Sequence, residues 1–201
     1  MDTSQRQSIR SVCVFCGSRT GHDSRYVESA RQLAQGLVAR GWELVYGGGR
    51  VGLMGELADA TLAAGGRVIG VLPKPLATKE LLHPQVTTMH IVETMHERKG
   101  LMAELSDAFV ALPGGFGTYE ETLEMITWGQ LGIHRKVVGL LDVKGFYQPL
   151  LQLFDRAIEE GFIRAHQRQL LVTSEDPEEL LERMSYHELP PVRQWISPAE
   201  S

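Results

Sequence analysis

The sequence predicts an α/β protein: a Rossmann-like open parallel β-sheet with helices on both faces, in a single domain. Two observations carry that prediction. Short apolar runs alternate with helix-period segments along the chain, the pattern of a parallel sheet whose crossovers are helices. Glycine clusters then stand where several of those runs end. The chain has 201 residues, a length that fits one domain and buries enough surface to need no staple.

The first strand is expected over 11–17, SVCVFCG. Tyr26, Ala30, Leu33 and Leu37 follow at helical spacing and make one apolar stripe, with Gly41 as the stop. The second strand, 43–46, runs into Gly47-Gly48-Gly49-Arg50-Val51-Gly52. A helix with Leu53, Leu57, Ala60 and Ala64 comes next and ends before Gly65-Gly66. Strands are expected over 67–72 and 86–92, then a helix from Met95, then a strand over 108–112. That strand ends in Pro113-Gly114-Gly115-Phe116-Gly117-Thr118 and a helix carrying Glu120, Glu121 and Glu124. A strand over 136–141, a helix over 146–161, and a strand over 170–172 complete the alternation. Asp176-Pro177 opens a last helix, aspartate as the cap and proline in the first turn. Residues 1–9 read as a disordered N-terminus, 10–188 as the domain, and 189–201, with Pro190-Pro191, as an irregular tail.

Composition excludes several classes. The net charge is −5 and lysine and arginine form no block, which argues against a nucleic-acid surface. No apolar run is long enough to span a membrane and the first residues lack a signal-peptide core, so the expectation is a cytoplasmic protein. Cys13 and Cys16 lie inside an apolar strand, where residues three apart point to opposite faces. With no second cysteine or histidine pair, zinc and redox roles are not expected. The seven histidines have no metal-ligand spacing, and no GxSxG element is present.

What remains distinctive is glycine, at 21 residues, concentrated at strand ends. Gly17-Ser18 follows the first strand, and the two longer loops each lead into a helix. Glycine lets backbone approach a phosphate, and a helix N-terminus offers free N–H groups and a positive dipole end. Together these predict a phosphorylated ligand. Gly47, Gly49 and Gly52 match G-x-G-x-x-G, but the next strand ends in Val71-Leu72-Pro73-Lys74 without the acidic residue a dinucleotide fold needs.

Two charged positions have open roles. Thr118 and Glu121 have the spacing of a capping box, which involves no chemistry; alternatively Glu121 sits one turn from the phosphate loop, beside Met125 and Trp128. Arg98 shares a helix face with Leu101, Met102 and Leu105 and needs an anionic partner there, either a structural ion pair or a ligand. Lys99 is expected on the opposite, polar face, and Glu120 is expected to be solvated.

The blocks PGGFGTYEE at 113–121, YGGGRVGLMG at 46–55, MHERKGLM at 95–102 and CVFCGSR at 13–19 resemble those of the LONELY GUY family, cytokinin-activating phosphoribohydrolases long labelled lysine decarboxylases. The resemblance covers roughly residues 10 to 185. It implies hydrolysis of the N-glycosidic bond of N6-substituted adenosine 5′-monophosphates to free base and ribose 5-phosphate, without metal or cofactor. It implies Arg98 and Glu121 as catalytic residues. Substrate contacts are implied from Gly17, Ser18, Gly114, Gly115, Gly117 and Thr118, with Lys99 near base and sugar; Gly48, Gly49 and Glu124 are further substrate-binding candidates. It also tips the apolar surplus at Trp128, Leu131 and Ile133 toward a homodimer interface. A purine-nucleotide nucleosidase acting on plain AMP, and a non-catalytic nucleotide-binding module, stay open as alternatives.

Overall fold

A computed structural model describes residues 8–78 and 81–191. The expected tail beyond residue 191 and the first seven residues of the expected N-terminal segment lie outside them. The described residues form one seven-stranded, all-parallel sheet in the order β4-β3-β2-β1-β5-β6-β7. Its strands are β1 (Ser11–Phe15), β2 (Glu43–Tyr46), β3 (Val68–Pro73), β4 (Thr88–Val92), β5 (Ala108–Ala111), β6 (Val138–Leu141) and β7 (Leu171–Ser174). Five of the six connections carry helices, α1 (Ser24–Ala39), α2 (Gly52–Ala63), α3 (Met95–Glu104), α4 (Phe116–Leu131) and α5 (Gln148–Glu159); β3 joins β4 without an α-helix, and α6 (Pro177–Tyr186) follows β7.

Apart from the edge strand β4, which is only part-buried, the strands are buried on both faces, as their continuous apolar runs require. Val12 and Val14 of β1 pack in one core layer with Leu33 and Leu37 of α1, Leu57 of α2 and Leu180 of α6. Cys13 and Phe15 face the other layer, with Met102 of α3, Met125 of α4 and Leu151 of α5. Cys16, beyond the strand, falls on the first side, so the two cysteines lie on opposite faces.

All seven expected strands are present; β2 has the expected bounds and the others have shifted ends. β1 stops at Phe15 because the amide of Gly17 leaves the ladder and donates to the carbonyl of Pro113, 3.1 Å away. β7 begins one residue late and continues to Ser174. The Asp176 cap is as expected: its carboxylate accepts the amide of Glu179 at 2.8 Å, and Pro177 opens the helix.

Chain order decides where a ligand fits. From β1 the chain winds outward through β2, β3 and β4, then α3 returns it to β5 on the other side of β1. In open sheets this switch point leaves a crevice at the carboxyl ends of the two central strands. Here those ends are the loops at Gly17 and Pro113.

Candidate active site

Three loops converge at the switch point. The Gly17 amide bonds to Pro113, and the Gly17 carbonyl accepts the amide of Leu53 in the first turn of α2 at 3.0 Å. A Cβ on Gly17 would come within 2.9 Å of the Arg19 carbonyl and 3.4 Å of Gly114 Cα. Gly52 has φ +61°, and a Cβ there would run into the backbone of Ser18. The glycines therefore permit backbone-to-backbone contact that no other residue allows.

Gly114 packs against the side chain of Thr118, leaving no room for a Cβ. Gly115 and Gly117 are different: a Cβ at either would meet nothing within 4 Å. Gly115 is the N-cap of α4 with no side chain to bond the first amides, so the start of the helix faces an open space. Ser18 is exposed, and Phe116 projects with 90% of its surface exposed.

Gly48 and Gly49 are placed differently from the other loop glycines. Both are buried beneath the segment that follows β3. The Gly48 carbonyl accepts the amide of His83 at 3.0 Å, Gly49 bridges to Leu82, and Gly48 (φ +74°) packs against Leu72 and Met89. His83 is itself buried and its ring nitrogen lies 3.1 Å from an Asp59 carboxylate oxygen.

Arg98 and Glu121 come together beside these loops. The Nη1 of Arg98 donates to Oε1 of Glu121, with side chains 10% and 11% exposed. The Nε of Arg98 donates to the carbonyl of Val71 at 3.1 Å. Its Nη2 lies flat against Gly47, in the space a Cβ would fill. Burial pushes the Glu121 carboxyl above the ordinary carboxylate range, and Arg98 only partly offsets that. Gly47 and Val71 were not among the expected site residues. Gly47 had a visible signal, as the first of three glycines; Val71 contributes only a carbonyl, which no side-chain pattern reveals.

The Thr118–Glu121 capping box does not form. Gly115, not Thr118, caps α4, and the Glu121 side chain turns to Arg98 instead. A capping threonine with that spacing does exist at α3, where Thr94 Oγ1 accepts the Glu97 amide at 3.1 Å.

Lys99 is the second correction. It is buried, not on a polar face, with its side chain 8% exposed. Its Nζ donates to Glu120 and to Glu124 Oε1, the latter at 3.1 Å. Glu120 is half exposed but ion-paired. The helical projection assumed one buried face, whereas α3 has the sheet on one side and α4 on another.

Cys13 and Cys16 are free and buried, and burial raises both thiols well above their usual range. No group of three or more metal-ligating side chains occurs among the described residues. No described helix is long and apolar enough to cross a membrane.

The chain matches a family model described as "Possible lysine decarboxylase" over residues 54–184. It is 53% identical over 189 residues to a rice (Oryza sativa subsp. japonica) protein named "Probable cytokinin riboside 5'-monophosphate phosphoribohydrolase LOGL1", covering 92% of this chain and 85% of that protein. It is 49% identical over 183 residues to the Arabidopsis thaliana cytokinin riboside 5'-monophosphate phosphoribohydrolase LOG4, covering 91% and 85%. Among solved structures, the molybdenum cofactor carrier protein of Chlamydomonas reinhardtii superposes with a TM-score of 0.66 at 22% identity, over 87% of this chain and 97% of that one. That likeness concerns the fold.

Proposed function

The chain belongs to the LONELY GUY family, whose members are named cytokinin riboside 5′-monophosphate phosphoribohydrolases, and from that premise we propose that it hydrolyses the N-glycosidic bond of N6-substituted adenosine 5′-monophosphates. The observation that carries the proposal is the buried Arg98–Glu121 pair beside an open, glycine-lined helix N-terminus at the switch point.

The chemistry follows from charge. Cleaving the bond between C1′ and the purine develops positive charge on the sugar and negative charge on the base. The 5′-phosphate sits on the first amides of α4, with Ser18, Gly114, Gly115, Gly117 and Thr118 around it. Glu121 stabilises the oxocarbenium-like sugar and takes a proton from the attacking water. A carboxyl held above the ordinary carboxylate range can then pass that proton to the departing base. Arg98 stabilises the negative charge on the base electrostatically. The guanidinium is a poor proton donor, since its pKa exceeds about 12.

A Schiff-base decarboxylase is a poor fit to the same residues. Burial pulls the Lys99 amine down, but Glu120 and Glu124 outweigh it and the net shift is upward. An amine kept charged is the opposite of what imine formation needs.

The proposal includes a homodimer in the cytoplasm. Trp128 and Ile133, apolar side chains that are not fully buried, lie in the lining of an open groove beside α3 and α4 and support a subunit contact there. Light scattering giving twice the chain mass supports it; a monomer at micromolar concentration removes it.

The test is a product assay with isopentenyladenosine 5′-monophosphate and AMP in parallel. Preferential release of free base and ribose 5-phosphate from the modified nucleotide supports the proposal. Equal turnover moves the assignment to a general AMP nucleosidase. Binding without turnover leaves a nucleotide-binding module.

A further inference from the structure

Lys99 is adjacent to Arg98 on α3, and Glu120 and Glu124 flank Glu121 on α4. The two helices are therefore joined by two ion pairs side by side: Arg98 to Glu121, and Lys99 to Glu120 and Glu124. A buried lysine must satisfy three N–H donors. Two of them go to carboxylate oxygens, Glu120 Oε1 and Glu124 Oε1 at 3.1 Å, and Glu124 Oε2 lies 3.0 Å from the nitrogen as an ion-pair contact without a hydrogen bond. The whole residue is only 7% exposed, and both carboxylates hold its nitrogen on the α4 side.

We propose that Lys99 is a positioning residue for the reaction, which acts by clasping α3 to α4 so that Arg98 and Glu121 meet in working geometry. The inference rests on the hydrolase reading given above. It departs from the family-based expectation of a Lys99 contact with base or sugar.

Two physical links lead from Lys99 to the catalytic pair. The first is geometric. Lys99 is one residue from Arg98, and each of its partners is within one turn of Glu121, so any slide of α3 along α4 that lengthens one ion pair lengthens the other. A displacement of about 1 Å at a catalytic group can cost about 100-fold in rate.

The second link is electrostatic. The charged and titratable groups facing Glu121 are Arg98 and Lys99 of α3, Glu120 of its own helix, and the neutral thiols of Cys13 in β1 and Cys16 just beyond it. The interhelical cluster holds three carboxylates against two cations. Removing Lys99 leaves three against one, and the buried carboxylate, Glu121, is the one that cannot escape to water. Its protonation then persists to higher pH.

The experiment uses the full chain with Lys99→Met, Lys99→Arg, Glu124→Gln and the double variant Lys99→Met/Glu124→Gln. Readouts are kcat, KM, the pH dependence of kcat, and the Kd of ribose 5-phosphate. Lys99→Met is expected to lower kcat about 10- to 100-fold, with KM and the ribose 5-phosphate Kd within about twofold. Its acid limb should move to higher pH. Lys99→Arg should recover most of the rate, and adding Glu124→Gln to Lys99→Met should cost little more, because the clasp is already open. A raised KM and Kd with kcat kept would make Lys99 a substrate ligand and overturn the proposal. Lowered thermal stability with an unmoved pH profile and unchanged kcat would reduce it to a packing residue, which also overturns it. A wild-type chain without turnover would remove both the hydrolase reading and this inference; an active wild type with either failing pattern removes the inference alone.

Discussion

Arg98 and Glu121, 23 residues apart and on different helices, form a single ion pair in which both side chains are nine-tenths shielded from water. Breaking such a pair from one side strands the other charge, at about 3–5 kcal/mol. Glu121→Ala should therefore lower stability by roughly that amount in a denaturant titration. Glu121→Gln keeps an acceptor for the guanidinium and should cost less stability, yet lower turnover by at least about 100-fold. Near-normal turnover in Glu121→Gln would leave the carboxylate with a structural role only.

The loop glycines should divide into two kinds. Gly47→Ala places a methyl where the Arg98 guanidinium lies, so the arginine must move and kcat should fall about 10-fold or more. Gly115→Ala meets no atom within 4 Å and should fold normally, but its methyl points into the space proposed for the phosphate. KM for the nucleotide should rise while kcat changes little. Steady-state kinetics on the two variants separates them; the same kinetic pattern in both would contradict this division.

His134 predicts an acid-sensitive core. Its Nε2 lies 2.9 Å from the Met125 carbonyl and its Nδ1 accepts the Lys136 amide at 3.2 Å, which assigns the neutral tautomer with the proton on Nε2. Burial first, and the Lys136 charge second, pull its pKa down from 6.5 to about 4. A depressed folded-state pKa gives stability that is full above about 6.5 and is lost as pH falls through about 4. The loss is on the order of 2–3 kcal/mol. Denaturant midpoints between pH 7 and 4 should show it, and His134→Gln should flatten that part of the profile. An unchanged slope in the variant would assign the acid loss to other groups.

Tyr46, fully buried at the end of β2, holds a hydroxyl with no hydrogen-bond partner among the described residues. An unsatisfied buried polar group costs about 1–3 kcal/mol. Tyr46→Phe should consequently be neutral or stabilising by up to about 1 kcal/mol, read from the urea midpoint at constant slope. A loss above about 1 kcal/mol would mean that the hydroxyl is satisfied in solution.

Much of the architecture was visible in residue order. Most strands were located because a buried parallel strand must be a continuous apolar run, and β2 was placed to the residue. Ends failed where a neighbour competes for the backbone, as at Gly17, whose amide goes to Pro113 rather than to the ladder. The capping alternative at Thr118–Glu121 fell for a related reason. Thr118-x-x-Glu121 and Thr94-x-x-Glu97 look alike locally, and the choice depends on whether the glutamate has a better partner elsewhere. Glu121 has Arg98; Glu97 has only the cap and the Glu93 amide at 2.8 Å.

The chain order of apolar runs, helix stripes and glycines was sufficient for the sheet, its layers and the loops at the switch point, because each of those follows from the period and size of neighbouring residues. The pairing of Arg98 with Glu121, the burial of Lys99, and the use of Gly47 as a seat for a guanidinium were not available at that level. They depend on how α3 docks against α4 over the sheet, which places side chains more than 20 residues apart in one water-poor space. There a charge must find an opposite charge or leave, so the packing of layers, not the local pattern, selects the partners.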